Sequence, residues 1–329
     1  MGSHRDMTPT TEVIVCTYNG AAFIVDQLQS IVAQTTRVNK ISIYDDRSSD
    51  DTVTRIHGFL DRLPSDERGL FTVHVNAGNL GYALNFMNAI AKATEDIVFL
   101  CDQDDTWEPR KVEVFLDLFR EYAPDMVFSD GSITDEAGQE FRGVNVLASY
   151  GLHKRGIRRF RDRAFDLLLK QNYINGAAAA VRRVTAQEAF PLPCDMPHDY
   201  WLAIWCSLHA GIVATSQTLY RYRQHRRNVI GMGSTNPLYA WLGIWRQPSA
   251  PRERELRIWE AVTERIAGFA SSAQLKAARR KLSWLQRVVP RSKTRLTRGI
   301  AILKSALDGS YRRYSSTDAA LRDVVSLIR

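Results

Sequence analysis

The stretch Ile97-Val98-Phe99-Leu100-Cys101-Asp102-Gln103-Asp104-Asp105-Thr106-Trp107 decides the fold. Five apolar residues in succession, opening on two β-branched ones, fit a strand buried on both faces. The chain then turns abruptly polar, with three carboxylates in four residues. The same change recurs upstream. Val13–Cys16 runs into Thr17-Tyr18-Asn19-Gly20, and Ile41–Tyr44 into Asp45-Asp46-Arg47-Ser48-Ser49-Asp50. Between these two strands Ile24, Leu28, Ile31 and Val32 fall on one face at helical spacing. Phe71–Val75 reads as another strand and Ala83–Ala93 as a helix. After Pro109, Val112, Phe115, Leu116 and Phe119 mark an amphipathic helix, followed by a strand at Met126–Phe128. This alternation predicts an α/β fold, a mostly parallel sheet flanked by helices. Ligands bind such sheets at the carboxyl ends of the strands, so the polar strand ends are the candidate site.

The chain has 329 residues, 45% of them hydrophobic and 24% charged, which is globular composition rather than disordered or fibrous. No stretch approaches the ~18 consecutive apolar residues of a membrane-spanning helix. Met1 to Thr11 is polar and lacks the apolar core of a signal peptide. A cytoplasmic protein, soluble or attached to a surface, is the expectation. Cys16, Cys101, Cys194 and Cys206 are widely scattered, so neither a disulfide framework nor a zinc knuckle is expected. No Gly-x4-Gly-Lys-Ser/Thr occurs, which excludes a P-loop NTPase at the level of motif. The net charge of +8 is unevenly spread. Residues 246–329 carry 19 Lys and Arg against 7 Asp and Glu, whereas the first 245 residues are slightly acidic. That asymmetry suggests a polyanionic partner, nucleic acid or an anionic membrane surface.

Each acidic cluster admits two readings. Asp45–Asp51 either lines a ligand site or is a solvated turn capping a helix that begins near Thr52. Asp102, Asp104 and Asp105 repel one another unless a cation neutralises them. Hard oxygen donors of this kind suit Mg²⁺ or Mn²⁺, especially beside substrate phosphates. The alternative is that Asp105 caps the turn before Trp107-Glu108-Pro109.

The blocks Val13-Ile14-Val15-Cys16-Thr17-Tyr18-Asn19-Gly20, Asp45-Asp46-Arg47-Ser48-Ser49-Asp50-Asp51-Thr52, Asn79-Leu80-Gly81-Tyr82 and Phe99–Trp107 occur in an order and spacing that resemble glycosyltransferase family 2. Members of that family have the GT-A fold, and the match covers roughly Glu12–Leu118. The Asp-Gln-Asp-Asp version is similar to the subgroup that includes many bacterial rhamnosyltransferases. The resemblance implies an inverting, metal-dependent transferase that uses Mg²⁺ or Mn²⁺. Its donor would be a nucleotide sugar, dTDP-L-rhamnose first and a UDP-hexose second. Its acceptor would be a hydroxyl of a bacterial surface glycan or lipid-linked glycan. Thr17, Tyr18 and Asn19 would line the nucleotide pocket, and Asp46 would accept a hydrogen bond from a pyrimidine N3–H. Asp102 would approach the ribose and the metal shell, while Asp104 would bind the ion. The family often carries a basic residue shortly after its Asn-x-Gly block; here Ala83-Leu84-Asn85 supplies no such charge.

The second half adds Pro197-His198-Asp199-Tyr200-Trp201 before an apolar helical stretch from Leu202 to Leu208. In the family, an aspartate at such a helix start deprotonates the acceptor hydroxyl, which assigns the base to Asp199. The plainer reading is a helix N-terminal carboxylate held by the dipole. Tyr220–Asn228 packs four arginines and His225 into seven positions (221–227), and arginine can fork onto phosphate oxygens. By the resemblance Arg223, His225 and Arg226 would meet the diphosphate, and His225 can also complete the metal shell. The basic run Lys154–Arg163 is either a solvated face or a cradle for acceptor phosphates. The resemblance divides the chain into a nucleotide-sugar-binding half over residues 1–110, an acceptor-binding half over 111–231 and a basic helical region over 232–329.

In that last region Leu256, Trp259, Val262 and Ile266 recur at helical spacing, as do Leu282, Leu285 and Val289 amid Arg279, Arg280, Lys281 and Arg287. Such a helix either rests on anionic lipid as a peripheral anchor or packs its apolar stripe against the protein. No zinc finger or RNP-type aromatic motif accompanies the basic charge, so nucleic acid is not expected. A noncatalytic nucleotide-sugar or glycan-binding protein is the competing class.

Overall fold

The computed structural model describes residues 8–225, 250–289, 294–315 and 317–328. The expected boundary at 231/232 and the candidate residue Arg226 lie outside them. Backbone contacts divide the chain into two units. The first comprises residues 1–162, 173–192 and 197–229; the second comprises 163–172, 193–196 and 230–329.

The first unit is built on a sheet that opens with four parallel strands, β1 (Thr11–Thr17), β2 (Lys40–Asp45), β3 (Phe71–Val75) and β4 (Ile97–Asp102). β1 lies between β2 and β4, and β3 lies outside β2. Every residue of β1 is buried, as a strand flanked by neighbours and covered on both faces requires. The sheet continues from β4 through strands that are mixed in direction. With β5 at Thr106–Trp107, β6 at Met126–Thr134, β7 at Glu140–Asn145, β8 at Ala179–Arg182 and β9 at Ile212–Arg223, its order runs β3-β2-β1-β4-β8-β6-β9-β5. β7 pairs with β6 from outside that path. The pairings β4/β8, β6/β8, β6/β7 and β5/β9 are antiparallel, and β6/β9 is parallel. The α/β architecture is therefore the expected one, with its parallel part concentrated in the first four strands.

Helices α1 (Ile24–Val32), α2 (Thr52–Leu60), α3 (Ser65–Arg68), α4 (Tyr82–Lys92) and α5 (Lys111–Tyr122) connect these strands. α1 buries Ile24, Gln27, Leu28 and Ile31 on one face. α4 starts after Gly81, whose φ of 79° is the left-handed conformation that favours glycine. Four further helices follow: α6 (Val146–Ser149), α7 (Lys154–Leu168), α8 (Arg183–Glu188) and α9 (His198–Cys206). α7 breaks at Arg163, where φ is −140° and ψ is 30°, at the point where the chain passes from one unit to the other. Within Lys154–Arg163 the apolar Ile157 and Phe160 are buried while the arginines are exposed, as both readings of this run require.

The second unit is helical: α10 (Ala250–Arg265), α11 (Ser272–Val288), α12 (Arg295–Leu307), α13 (Ser310–Tyr314) and α14 (Thr317–Ile328). α11 opens with a capping box, in which Ser271 and Gln274 satisfy each other's backbone N–H groups. Leu256, Trp259, Val262 and Ile266 are all buried, as their spacing predicts. So are Leu285 and Val289. Leu282 is half-buried, so most of the α11 stripe is packed inside this unit. Beneath it, Glu255 accepts from the Lys281 ammonium at 2.7 Å and from Arg252 at 2.6 Å. Arg252 also donates to Asp323, and Lys281 to the Leu169 carbonyl. The Lys281 ammonium lies over the Trp259 ring and the Arg252 guanidinium over that of Trp284. Removing Glu255 would leave Lys281 buried without a carboxylate and Arg252 with Asp323 alone. Glu255→Ala should lower stability by about 3–5 kcal/mol. Thermal unfolding followed by tryptophan fluorescence would register it, and an unchanged midpoint would show that the network is not worth its burial.

Candidate functional site

The carboxyl ends of β1, β2 and β4 meet, because Thr17 lies opposite Asp45 and Cys16 opposite Asp102 in register. Around them the sequence builds a hydrogen-bonded floor. Asp45 is fully buried and accepts from the hydroxyls of Thr17 (2.7 Å) and Ser48 (2.6 Å). Asp46 is buried too. Its Oδ1 accepts from the Leu80 N–H (2.8 Å) and the Asn76 amide (2.9 Å), and its Oδ2 from the Gly81 N–H (2.8 Å). The Asn79-Leu80-Gly81 block is thus what holds Asp46. Three of the four lone-pair sites are filled, and one on Oδ2 is left for a donor such as a pyrimidine N3–H. Asn85, where the family's basic residue is missing, instead donates to the Tyr44 carbonyl and accepts from Asn76.

Of the three candidates on the first block, Thr17 is buried and its hydroxyl is used by Asp45. Asn19 takes a left-handed backbone (φ 51°), and its side-chain oxygen accepts from Ser49. Tyr18 offers its ring to solvent at 48% exposure, while its backbone N–H and carbonyl pair with the Gln103 amide at 2.8 and 2.9 Å. That amide lies directly over Gly20, where an added Cβ would come within 2.0 Å of Gln103 Oε1. Gly20→Ala should therefore dislodge Gln103 and destabilise the fold by about 1–3 kcal/mol. Chemical denaturation would measure the loss, and an unaltered midpoint would mean that Gln103 swings aside freely.

The acidic cluster sits at the end of β4. His225 Nε2 and Asp104 Oδ2 are 2.9 Å apart, and the imidazole stacks on Phe23 with ring centroids 4.6 Å apart. Burial and the charges of Asp104 and Asp199 push Asp102 up to about 8, against an opposing pull from Lys111. Asp105 is pushed well above the carboxylate range by burial and then by Asp104 and Asp102; its Oδ2 has no hydrogen-bond partner among the described residues. Burial and mutual repulsion thus disfavour the ionised forms of Asp102 and Asp105, a cost that a bound cation would relieve. Among the described residues no three His, Cys, Asp or Glu side chains are grouped so as to hold a metal ion by themselves. An Asp–His pair with a second carboxylate nearby is an open donor set. It fits an ion that keeps waters and takes phosphate oxygens as its remaining ligands.

Asp199 lies in the first turn of α9. It accepts from the Gly176 N–H at 3.1 Å and from the Tyr200 N–H at 2.6 Å, and its charge reaches Asp102. The structure therefore unites Asp102, Asp104, Asp199 and His225 in one electrostatic neighbourhood. Arg223 has a different occupation. Its Nε donates to the Asp104 carbonyl, Nη1 to the Glu136 carbonyl and Nη2 to Asp26, so it straps the acidic loop to α1.

Sequence reasoning missed Lys111. It is buried, donates to the Ala177 carbonyl and lies 4.1 Å from the Trp107 ring centroid. Burial draws its ammonium down to about 7 against the stabilising charges of Cys101, Asp105 and Asp102. The signal was its place on α5, four residues before Phe115 and eight before Phe119 on the buried face. His198 is likewise interior. It stacks on Phe86 at 4.1 Å, and burial takes it down to about 3, which leaves it neutral.

Comparison with known proteins follows the same lines. An uncharacterised protein of Mycobacterium tuberculosis is 24% identical over 239 residues, 70% of this chain and 63% of its own length. The chain thus spans under two thirds of the length of this curated relative. An uncharacterised glycosyltransferase of Nostoc sp. is 29% identical over 108 residues, 33% of this chain and 32% of its own. Among solved structures, S. aureus TarS 1-349 in complex with UDP-GlcNAc superposes with a TM-score of 0.54 at 15% identity, over 96% of this chain and 90% of that one. The mannosyltransferase PcManGT from Pyrobaculum calidifontis, in complex with GDP-Man and Mn²⁺, gives 0.54 at 16% identity, over 98% and 87%. At such identities these two establish the shared fold. The sequence profile of glycosyl transferase family 2 matches residues 12–188, more than half of the chain. The chain is therefore a member of glycosyl transferase family 2, with the GT-A fold.

Proposed function

We propose that this protein transfers a sugar from a nucleotide sugar to a hydroxyl acceptor with inversion at the anomeric carbon. The observation that carries this reading is the convergence of Asp199 from α9 with Asp102 and Asp104 from the end of β4. A carboxylate positioned as a base beside an acidic diphosphate site is what a single displacement needs. Residues 1–110 supply the donor side, with Tyr18 open to the nucleotide and Asp46 keeping one acceptor site for N3–H. Residues 111–231 supply the acceptor side and the base.

Asp104 and His225, with Asp102 beside them, would hold Mg²⁺ or Mn²⁺, which when bound neutralises the leaving diphosphate. Asp199 takes the proton from the acceptor hydroxyl. The hydroxyl oxygen bonds to the anomeric carbon as the bond to the diphosphate breaks on the opposite face. The Gly176 and Tyr200 N–H groups hold the carboxylate in place. Arg223 keeps Asp104 on its loop, and any direct contact it makes with the diphosphate uses the rest of its guanidinium.

Uracil and thymine share the N3–H that Asp46 can accept. The Asp-Gln-Asp-Asp resemblance favours dTDP-L-rhamnose, with a UDP-hexose second. A bacterial surface glycan or its lipid-linked precursor is the acceptor class. A panel of nucleotide sugars tested by thermal shift with Mn²⁺ should single out the donor, since a true ligand stabilises the native state by mass action. Turnover of that donor, with product configuration read by NMR, separates an inverting transferase from a noncatalytic binder. Binding without any turnover would reject the enzyme reading.

A further inference from the structure

Four aliphatic side chains of α12 stand in solvent: Leu296 at 73% exposure, Ile300 at 46%, Leu303 at 61% and Leu307 at 80%. Their spacing of four, three and four residues places them on one narrow stripe. The opposite side of the same helix carries Arg298, Ile302 and Ser305, all buried. α12 therefore packs by one face and presents a second apolar face that the core does not use. α14, which lies against α12, leaves Leu321 and Val324 exposed as well. Single exposed aliphatics are ordinary on a protein surface, but a stripe opposite the packed face calls for a partner.

Charge selects the partner. From Arg295 to Tyr314 the sequence carries five basic residues and one acidic residue, Asp308. Lys304, Arg312, Arg313 and, on α14, Arg322 are exposed. A second copy of the chain laid along this stripe would set like charge against like charge. An anionic bilayer does the reverse, taking the aliphatics at its acyl boundary and the basic groups among its headgroups. We propose that α12, with α14 beside it, is a membrane-contact surface for anionic lipid. Of the two readings open for the α11 stripe, packing accounts for Leu285 and Val289, which are buried, whereas the α12 stripe stands in solvent. The proposal does not rest on the sugar-transfer reading.

Flotation of the full chain with phosphatidylcholine vesicles, with and without phosphatidylglycerol, tests it. Binding should require phosphatidylglycerol and weaken as salt is raised. The double variant Leu303→Glu, Leu307→Glu should bind at least about tenfold more weakly. Its thermal midpoint should be unchanged, because both positions are exposed. Leu296→Ser, at another exposed position, provides a milder version if the double variant is unstable. Three results would overturn the proposal: no flotation of the wild type with phosphatidylglycerol, equal flotation of the folded variants, or a dimer in sedimentation velocity that the double variant dissolves.

Discussion

Asp199→Asn is expected to slow transfer by about 10²–10⁴-fold while donor affinity stays close to that of the wild type. The amide keeps the volume of the carboxylate and one oxygen for the Gly176 N–H but gives up the acceptor that faces the Tyr200 N–H, so an unchanged thermal midpoint is the control for an undisturbed start of α9. What disappears is the basic oxygen. The deficit should therefore fall on kcat, and it should persist in single-turnover measurements, where product release plays no part. Calorimetric titration of the donor with Mn²⁺ supplies the second readout. A variant that transfers at the wild-type rate would remove Asp199 from the reaction. One that fails to bind donor would make it a structural carboxylate instead.

Asp104→Asn should act on the other side of the site. The amide cannot replace an anionic oxygen facing His225, so donor binding in Mn²⁺ should weaken by at least about 100-fold. Without the ion, wild type and variant should bind donor alike, and that pairing distinguishes a lost ligand from a collapsed loop. Strong Mn²⁺-dependent donor binding in the variant would place the ion elsewhere.

The parts of the fold that sequence pattern could reach were those with a simple period. Val13–Cys16, Ile41–Tyr44, Phe71–Val75 and Ile97–Cys101 fall within β1 to β4, because a strand buried on both faces is written as an apolar run. β6 begins at Met126 as expected but continues to Thr134 through Ser129, Asp130 and Ser132. Those polar residues are buried all the same, and Asp130 is satisfied by the N–H groups of Gly131 and Leu147. β8 went unread because Ala179 and Ala180 have little strand preference; their small size suits a strand between β4 and β6. At the site, motif order pointed to the acidic groups. It could not reveal that Asp46 is held by the Asn76–Gly81 segment, or that Arg223 is committed to Asp26 and two carbonyls. Those are facts of side-chain geometry across long sequence separations. Charge pattern alone could not tell a packed stripe from an exposed one, since α11 and α12 both mix leucine with arginine and only packing shows which is covered.

The helical unit draws on two short excursions of the chain, 163–172 and 193–196, as well as on everything after residue 229. Cutting the gene at one codon cannot liberate it. A product ending near Arg246 would retain Leu169 but lose Lys281, which caps its carbonyl, and would retain Asp195 without Arg254. Chimeras between relatives should accordingly exchange three pieces together, and grafting the carboxyl-terminal piece alone onto a foreign catalytic half should yield insoluble protein.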